Sequence, residues 1–376
     1  MELSHDLMKR PLGRRTLLAT TGAALASQAS SISRSAQATA SPSAPSGPRV
    51  EWRMATSWPP SLDTLYGTAQ HIAQRVEQMS GGRFTIEVSA AGELVPGLQV
   101  LDAVQAGTVQ CGHSAAYYYT GKSPALAFAT AVPFGLTARQ QNAWLYEGGG
   151  IDAINQVYSG FNTVAFPAGN TGVQMGGWFK RSIATVADLQ GLKMRTAGLG
   201  GEVLSRLGVT VQALPAGEIL LALDLGTIDA AEWVGPYDDE KLGLHKTADY
   251  YYYPSWWEPG ASLDLMINLQ AWEQLPPDYQ DILKTAAASA NAKCLADYDV
   301  LNPLALSRLI QQGTKLEVFS DDILAACREQ STAVLEELAG QDAAFKTIYG
   351  PWKAFRDRLQ TWHGLGEASL NGFAVK

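Results

Sequence analysis

Positive charge and long apolar runs are both scarce in this sequence of 376 residues. Lysine and arginine together number 28, against 36 aspartates and glutamates, and the formal net charge is -8. An acidic protein repels polyanions, so nucleic acid is not an expected partner. No stretch provides the ~20 consecutive apolar residues that a membrane-spanning helix needs. The sequence therefore predicts neither a nucleic-acid-binding protein nor a helical integral membrane protein.

Cysteine is rare as well, with only Cys111, Cys294 and Cys327 in the whole chain. An odd number does not indicate a disulfide framework. Cys111 lies in the strand-like GTVQCGHSAA and is interpreted as a small buried apolar residue. A bridge between Cys294 and Cys327, in two late helical stretches, is compatible with the spacing but is not required by it.

Familiar catalytic motifs are also missing. The sequence contains no H-E-x-x-H, no G-x-S-x-G and no glycine-rich phosphate loop. GLGGE (198–202) starts a helical pattern and suits an anion, but it lacks the lysine of a P-loop. His113 and His245 stand alone and are interpreted as structural. These absences favour a binding protein over an enzyme.

The first 40 residues have the pattern of an export signal. A basic stretch is followed by a weakly apolar segment and by small residues with a cleavage site after Ala38 or Ala40. Arg14 and Arg15, just ahead of the apolar segment, match the twin-arginine signature of bacterial export. The Pro/Ser-rich residues 41–48 are predicted to be a linker. We therefore expect a soluble periplasmic protein whose fold begins near residue 49.

Strand and helix patterns alternate along the remaining chain. Alternating apolar residues predict strands such as VEWRMATSW (50–58) and RFTIEVSAAG, and helical spacing predicts a helix between them. This order indicates an α/β protein with a mainly parallel sheet wrapped by helices. A mature chain of about 330 residues exceeds the size of one hydrophobic core, so two lobes are expected. Ligands in such folds lie beyond the carboxyl ends of the strands.

Several stretches resemble the DctP-type extracytoplasmic solute receptors of TRAP (tripartite ATP-independent periplasmic) transporters. In chain order they are SGGRFTIEV with AAGEL, LDAVQAGTVQCG, TGVQMGGWF, DLQGLKMRTAG and DAAEWVGPYDD. The pair Glu232-Trp233 and the run WWEPG are similar to the TakP-like and lactate-binding subgroup, which binds 2-oxo or 2-hydroxy acids with a metal ion. The resemblance implies a non-enzymatic receptor that closes two lobes over its ligand and delivers it to a membrane permease.

The resemblance also implies a domain plan for a two-lobe periplasmic-binding-protein fold with crossing hinge strands. Lobe 1 is expected to consist of residues 49–172 with 261–306, and lobe 2 of residues 173–260 with 307–334. Residues 335–376 are expected to form a C-terminal helical extension. In this subgroup such an extension is similar to a dimerising arm, so a homodimer is expected.

Arg195 is the predicted anchor for a ligand carboxylate. It lies at the end of the short strand pattern GLKMRTAG, and a guanidinium offers a planar fork that matches a carboxylate. From the sequence alone, a surface arginine or a structural ion pair is an equally good interpretation. The resemblance implies that Arg195 holds the substrate carboxylate.

Glu232 and Glu258 each stand beside tryptophans, in EW and WWE. Burying an unpaired carboxylate is costly, so each needs a partner. One cation would serve both, and separate salt bridges to lysines are the alternative. From the residues alone, Gln174 is more simply a hydrogen-bonded core amide; the resemblance implies that its amide oxygen is a metal ligand. With the carbonyl of Trp233, the implied ligand set is all oxygen, which suits Na⁺ or Ca²⁺ rather than Zn²⁺.

Aromatic residues are expected to form the walls of the site. Tyr118 follows a predicted strand and is a candidate donor to the substrate, and Trp58, before Pro59-Pro60, is a candidate lid or wall. The run YYYYPSWW (250–257) is expected to line the cleft. The alternative to a receptor is an exported metal-dependent enzyme acting on small carboxylic acids, with the two glutamates as an acid/base pair.

Overall fold

A computed structural model describes residues 47–374 of the chain. The predicted export signal and linker residues 41–46 lie outside the described residues. Within residues 47–374, no helix is both long enough and apolar enough to span a membrane. Within the described range the chain forms one compact unit, so the residue boundaries of the two lobes stay a prediction.

Eleven strands and thirteen α-helices are described. Strands β1 to β11 are Val50–Thr56, Phe84–Ser89, Cys111–Ser114, Thr163–Asn170, Gly177–Phe179, Lys193–Arg195, Thr210–Gln212, Ala230–Ala231, Tyr250–Tyr253, Ser262–Asn268 and Lys315–Val318. Helices α1 to α13 are Leu65–Met79, Val100–Gln105, Ala127–Thr130, Ala138–Glu147, Gly150–Ser159, Gly198–Arg206, Ala216–Asp224, Pro236–Leu242, Leu269–Glu273, Pro277–Gln311, Asp321–Gln341, Ala343–His363 and Ser369–Ala374.

The strands form two sheets, each of which is the centre of one lobe. The first sheet has the order β2-β1-β3-β10-β4, and the second has the order β11-β9-β5-β8-β6-β7. The chain crosses between the sheets from β4 to β5, returns from β9 to β10, and crosses again along α10 to β11. In the first sheet, β10 is antiparallel to both of its neighbours, and in the second sheet β5 is antiparallel to both of its neighbours. The sheets are therefore mixed rather than mainly parallel.

Helix α1 shows why the periodic segments fold as predicted. Leu65, Ala69, Ile72 and Val76 recur at helical spacing and are all buried. They pack with α10 and the first sheet, since α1 contacts both α10 and β2. The helix ends before two glycines that both have positive φ, a conformation that favours glycine.

The first sheet has a hydrophobic cluster on each face. Helices α1 and α10 cover one face. The other face is covered by α2 to α5 and by the first half of α12, where Phe345, Tyr349 and Trp352 are buried. The beginning of the predicted C-terminal extension therefore belongs to the core of the first lobe. Beyond it, Trp362, Leu365, Leu370 and Phe373 are exposed.

The apolar patterns of TGVQMGGWFK (171–180) and IDAAEWVG (228–235) predict two long strands, but both segments are mostly irregular. TGVQMGGWFK retains only β5, and IDAAEWVG retains only β8. The N–H of Gln174 donates to the carbonyl of Glu258 at 3.1 Å, and the N–H of Met175 donates to the carbonyl of Val234 at 3.0 Å. These hydrogen bonds replace a regular ladder, because both segments leave the sheet and turn toward each other.

The aromatic run 250–257 packs inside the second lobe, so the expectation that it lines the cleft is wrong. Tyr251 stacks on Trp178 with a centroid distance of 4.0 Å and donates its hydroxyl to Asp239. Tyr252 is buried and donates to the carbonyl of Ile183. Residues 250–253 form strand β9, so their side chains point alternately to the two faces of the second sheet. The buried members fill the core of that lobe rather than a ligand site.

All three cysteines are free and buried. Cys294 on α10 and Cys327 on α11 belong to different hydrophobic clusters, so no disulfide joins them. Cys111 on β3 lies in the core of the first lobe, as interpreted from the sequence.

Polar contacts join the lobes beside α8. The hydroxyl of Thr64, before α1, donates to Asp238 at 2.6 Å, and Tyr298 on α10 donates to the same carboxyl at 2.7 Å. The hydroxyl of Tyr237 donates to Asp63 at 3.1 Å. The segment that follows Trp233 is therefore held against the first lobe.

Buried acids make stability depend on pH. Asp264 on β10 is buried and accepts a 2.6 Å hydrogen bond from the hydroxyl of Tyr158. Burial raises the pKa of Asp264 from its ordinary 3.8 to about 7. The folded protein holds this proton at pH values where the unfolded chain has lost it. Raising the pH through this window therefore lowers the free energy of unfolding.

We expect the melting temperature of Asp264→Asn, measured relative to wild type, to rise by several degrees between about pH 5 and about pH 8. Asparagine cannot ionise and still accepts from Tyr158. Thermal melts in chelator at both pH values test this. Asp188→Asn is the control, because Asp188 is exposed and hydrogen bonds lower its pKa, so its effect is the same at both pH values. A difference for Asp264→Asn that does not grow with pH contradicts the prediction.

Candidate functional site

Three buried side chains on segments that contact one another carry unpaired oxygens. Gln174, Glu232 and Glu258 are 2 %, 0 % and 2 % exposed. Gln174 Oε1, Glu232 Oε1 and both carboxylate oxygens of Glu258 have no hydrogen-bond partner in the described part of the chain. We call these three residues the oxygen cluster. Such unpaired acceptors are costly unless a cation coordinates them.

Backbone contacts fix two members of the oxygen cluster to each other. Besides the bond from Gln174 N to Glu258 O, the N–H of Ser255 donates to the carbonyl of Gln174 at 3.1 Å. The side-chain amide nitrogen of Gln174 donates to Thr171 Oγ1 at 3.1 Å. Because that nitrogen is used, the amide oxygen of Gln174 is the atom left for a ligand.

Glu232 lies where β6, β8 and the segment before β5 meet. Its N–H donates to the carbonyl of Arg195 at 3.1 Å. Gly177 approaches closely from the other side, with φ of 96°. A Cβ at Gly177 would lie 2.7 Å from the carbonyl oxygen of Ala231 and 3.0 Å from Glu232 Cβ. Glycine lacks a side chain and so permits a close backbone approach, which is present at Gly177.

We expect Gly177→Ala to lower the free energy of unfolding by roughly 1–3 kcal/mol, because the new Cβ is strained in φ and meets backbone. Urea denaturation measures this. Gly217→Ala in helix α7 is the matched control, since a Cβ there meets nothing within 4 Å. It is expected to be neutral or to stabilise by up to about 1 kcal/mol. Equal effects of the two substitutions would contradict the argument.

Arg195 is the ionic partner of Glu232. Its side chain is 1 % exposed, and Nη1 lies 2.6 Å from the carbonyl oxygen of Glu232 and 3.4 Å from Oε2 of the same residue. Nε donates to the carbonyl of Leu214 at 3.1 Å, and the guanidinium lies 4.8 Å from the ring centroid of Trp233. Nε and Nη1 of Arg195 are thus engaged by backbone carbonyls, and Tyr118 lies close to the guanidinium.

The alternative of two separate salt bridges to lysines is wrong. Within residues 47–374, Glu232 pairs with Arg195 and Glu258 has no ionic partner. Burial raises the pKa of Glu232 to about 7, against the opposing effect of Arg195. The pKa of Glu258 is also raised well above its ordinary value, first by burial and then by the negative charge of Glu232. The site thus holds two carboxyl groups and one guanidinium, and excess negative charge accumulates when both carboxyls ionise.

Aromatic side chains pack against one another and against Arg195, the partner of Glu232. Trp58 and Trp233 are buried and meet edge-to-face, with 6.3 Å between their ring centroids. Tyr118 is half-buried, and its ring centroid lies 6.3 Å from that of Trp58. Burial raises the pKa of Tyr118, and the nearby charge of Arg195 partly opposes this effect. Trp58 is therefore buried against Trp233 and Tyr118 and is not an exposed lid.

A cavity of about 580 Å³ lies next to the site. It is bordered by Tyr117 and Tyr118 from the first lobe and by Thr196 and Ala197 from the second. The cavity is lined by neither Arg195 nor the residues of the oxygen cluster. Tyr117 belongs to the tyrosine run 117–119 from which Tyr118 was chosen by position, whereas Thr196, the direct neighbour of Arg195, was not predicted.

The donor set fits a hard cation. Within residues 47–374, no three or more His, Cys, Asp or Glu side chains gather at one point, so a soft-metal site is not offered. The unpaired atoms of the oxygen cluster are carboxylate and amide oxygens, which Na⁺ and Ca²⁺ prefer. Two lobes that enclose a guanidinium and such oxygens define a solute receptor that binds a small anion.

Comparison with known proteins gives the family. The chain belongs to the DctP family of bacterial extracellular solute-binding proteins, family 7, whose model matches residues 54–342. These proteins are receptors, not enzymes, so the sequence-based preference for a binding protein is confirmed. The predicted TRAP receptor family and its two-lobe fold are confirmed as well.

Individual relatives match most of the chain. A monocarboxylate 2-oxoacid-binding periplasmic protein of Nostoc sp. is 62% identical over 327 residues, which cover 87% of this chain and 90% of the relative. A TRAP solute-binding protein from Bordetella bronchiseptica, a mixed-occupancy dimer with calcium and picolinate in one site, is 48% identical with a TM-score of 0.86, over 87% of this chain and 98% of the other. One from Pseudoalteromonas atlantica, with sodium and pyruvate, is 38% identical with a TM-score of 0.84, over 86% and 99%.

Proposed function

We propose that this protein is the periplasmic receptor of a TRAP transporter and captures a small 2-oxo or 2-hydroxy monocarboxylate together with Na⁺ or Ca²⁺. The observation that carries the proposal is the oxygen cluster, whose four buried acceptor atoms lack partners beside a buried arginine. The Nostoc relative is a 2-oxoacid-binding protein, and two structural relatives contain pyruvate with sodium or calcium.

Gln174, Glu232, Glu258 and the carbonyl of Trp233 would hold the cation. When bound, the cation neutralises the carboxylates and attracts the oxygens of the ligand. Without that neutralisation, two ionised glutamates and one arginine would repel a monocarboxylate. The charges of these three side chains therefore favour joint binding of the cation and the acid.

Arg195 would hold the acid group of the ligand. Its Nε and Nη1 are fixed by backbone carbonyls, so the guanidinium is oriented before the ligand arrives. Nη2 and the hydroxyl of Tyr118 would meet the carboxylate of the ligand. Trp58 and Trp233 form apolar walls that exclude water, which strengthens the ionic contact. The enclosed position of these residues favours a small ligand.

Closure of the lobes would couple binding to delivery. The contacts of Asp63 and Thr64 with the α8 segment join the lobes just after Trp233. A ligand that touches both lobes shifts the equilibrium toward this closed form. Receptors of this family work with membrane permeases, and we propose that the permease recognises the closed form.

We also propose that the protein forms a homodimer through its C-terminal helices. Trp362, Leu365, Leu370 and Phe373 expose apolar surface there, and the Bordetella relative is a dimer. Light scattering after size-exclusion chromatography tests this, with Leu365→Asp and Phe373→Asp together expected to give monomers. A monomeric wild type overturns the proposal.

Calorimetric titration of the mature protein tests the proposed function. Pyruvate, lactate and longer 2-oxo acids are titrated in sodium-free buffer with chelator, and again with added Na⁺ or Ca²⁺; succinate serves as a dicarboxylate control. We expect stoichiometric binding of the monocarboxylates that strengthens at least about tenfold with one of the cations. Identical isotherms with and without cation, or tighter binding of succinate, would refute the proposal.

A further inference from the structure

We propose that His113 is a positioning residue for the ligand site, which holds the indole of Trp58 in place as a wall. This inference rests on the proposed function, because it takes Trp58 to be a wall of the acid-binding site. The sequence offers no sign of this role, since His113 stands alone in the chain. Its significance comes from two contacts made across the sheet.

Both ring nitrogens of His113 are engaged. The residue lies on β3 and is fully buried. The Nε1 of Trp58 donates to Nδ1 of His113 at 2.8 Å. On the opposite side of the ring, Nε2 lies 3.1 Å from the carbonyl oxygen of Ala168. The imidazole therefore bridges the loop after β1 and strand β4.

The two partners select one tautomer. An indole N–H can only donate and a carbonyl can only accept, so Nδ1 of His113 must be unprotonated and Nε2 must carry the proton. A doubly protonated ring would direct its Nδ1–H at the N–H of Trp58. Burial lowers the pKa of His113 to about 4, which agrees with a neutral ring.

The carbonyl that orients His113 is provided by an irregularity of the sheet. Strand β10 pairs Leu263 with Gly169 and Asp264 with Pro167, so Ala168 is bulged out of the register. Ala168 belongs to strand β4, and β4 continues directly to the crossing segment that carries Gln174. Through one imidazole, the wall of the site is therefore tied to the strand that leads to the oxygen cluster.

Burial alone does not explain the hydrogen bond of Trp58. Within residues 47–374, four other tryptophans have buried indole nitrogens without an acceptor: Trp233, Trp256, Trp257 and Trp352. Trp58 has an acceptor and faces both Trp233 and Tyr118. Because a tryptophan side chain has two rotatable bonds, a hydrogen bond at its far end fixes the plane of the ring. A fixed plane is what a closely fitting wall requires.

Two substitutions of His113 separate its two contacts. His113→Asn keeps an acceptor near the position of Nδ1 and so retains the bond from Trp58. His113→Gln keeps a donor near the position of Nε2 and loses that bond. We expect pyruvate affinity, measured calorimetrically with Ca²⁺ on the mature protein, to fall at least about tenfold in His113→Gln and less than about threefold in His113→Asn.

A double-mutant cycle with Trp58→Phe distinguishes positioning from a general effect on folding. Phenylalanine has no N–H, so His113→Gln should add less than about a twofold loss in that background. The indole N–H resonance that disappears in Trp58→Phe should shift in His113→Gln and stay in place in His113→Asn. This spectroscopic readout remains available if one variant binds too weakly for calorimetry.

Three results overturn the proposal: pyruvate affinity unchanged in His113→Gln, equal losses in both His113 variants, or a double variant whose loss is the product of the single losses. If wild type fails to bind pyruvate with Ca²⁺, the proposed function fails and this inference fails with it. If wild type binds and His113→Gln binds equally well, only the role of His113 is refuted.

Discussion

Replacing Arg195 with alanine is expected to weaken pyruvate binding by about 2–5 kcal/mol, because a buried carboxylate would lose its charged partner. This corresponds to a loss of roughly 30-fold to several thousand-fold in affinity. The same change leaves Glu232 without its ionic partner, so the melting temperature should also fall. Calorimetric titration with pyruvate and Ca²⁺, together with thermal melts, measures both effects.

Arg308→Ala is the matched control for this substitution. Arg308 also pairs with a glutamate, Glu240, but its side chain is 47% exposed. Exposed pairs contribute about 0–1 kcal/mol, so little change in binding or stability is expected. If Arg195→Ala binds pyruvate as well as Arg308→Ala does, Arg195 is not the anchor of the ligand.

Replacing Glu258 with glutamine is expected to have opposite effects on the cation-free and the cation-bound protein. In chelator at about pH 8 the variant should melt above wild type, because burial and the negative charge of Glu232 both disfavour the ionised carboxylate of Glu258. Added Ca²⁺ at about 100 times its dissociation constant stabilises a binding protein by about 2.7 kcal/mol. This stabilisation should be lost in the variant.

Glu240→Gln is the control, since it also removes one glutamate charge but outside the site. It should retain the full thermal shift with Ca²⁺ and show no gain of stability in chelator. The informative result is the reversal of order: the variant of Glu258 melts above wild type in chelator and below it with Ca²⁺. If its shift with Ca²⁺ matches that of wild type, Glu258 does not bind the cation.

Regular elements were predictable because their burial follows local periodicity. Strand β1, helix α1 and strand β2 follow one another as the apolar pattern indicates. The segments around Gln174 and Glu232 were predicted as longer strands than they form. Their backbone partners lie far away in the chain, at Glu258 and Arg195, and no local pattern contains that information.

Composition also misled the interpretation of aromatic residues. The run 250–257 attracted attention by its density, yet Tyr251 and Tyr252 face the core of the second sheet. Trp58 and Tyr118, with little local signal, lie at the site. Whether an aromatic residue packs or binds depends on which lobe faces it, and this is a property of the assembled fold.

The sequence by itself determined the chemistry that the protein can offer: oxygen donors, one arginine near a strand end, and tryptophans beside two glutamates. Only the tertiary structure decided how these groups are paired. It engages Arg195 with Glu232, leaves Glu258 unpaired, and uses His113 to hold Trp58. The physical reason is that pairing depends on distances between segments remote in sequence, and those distances exist only once the two sheets have packed together.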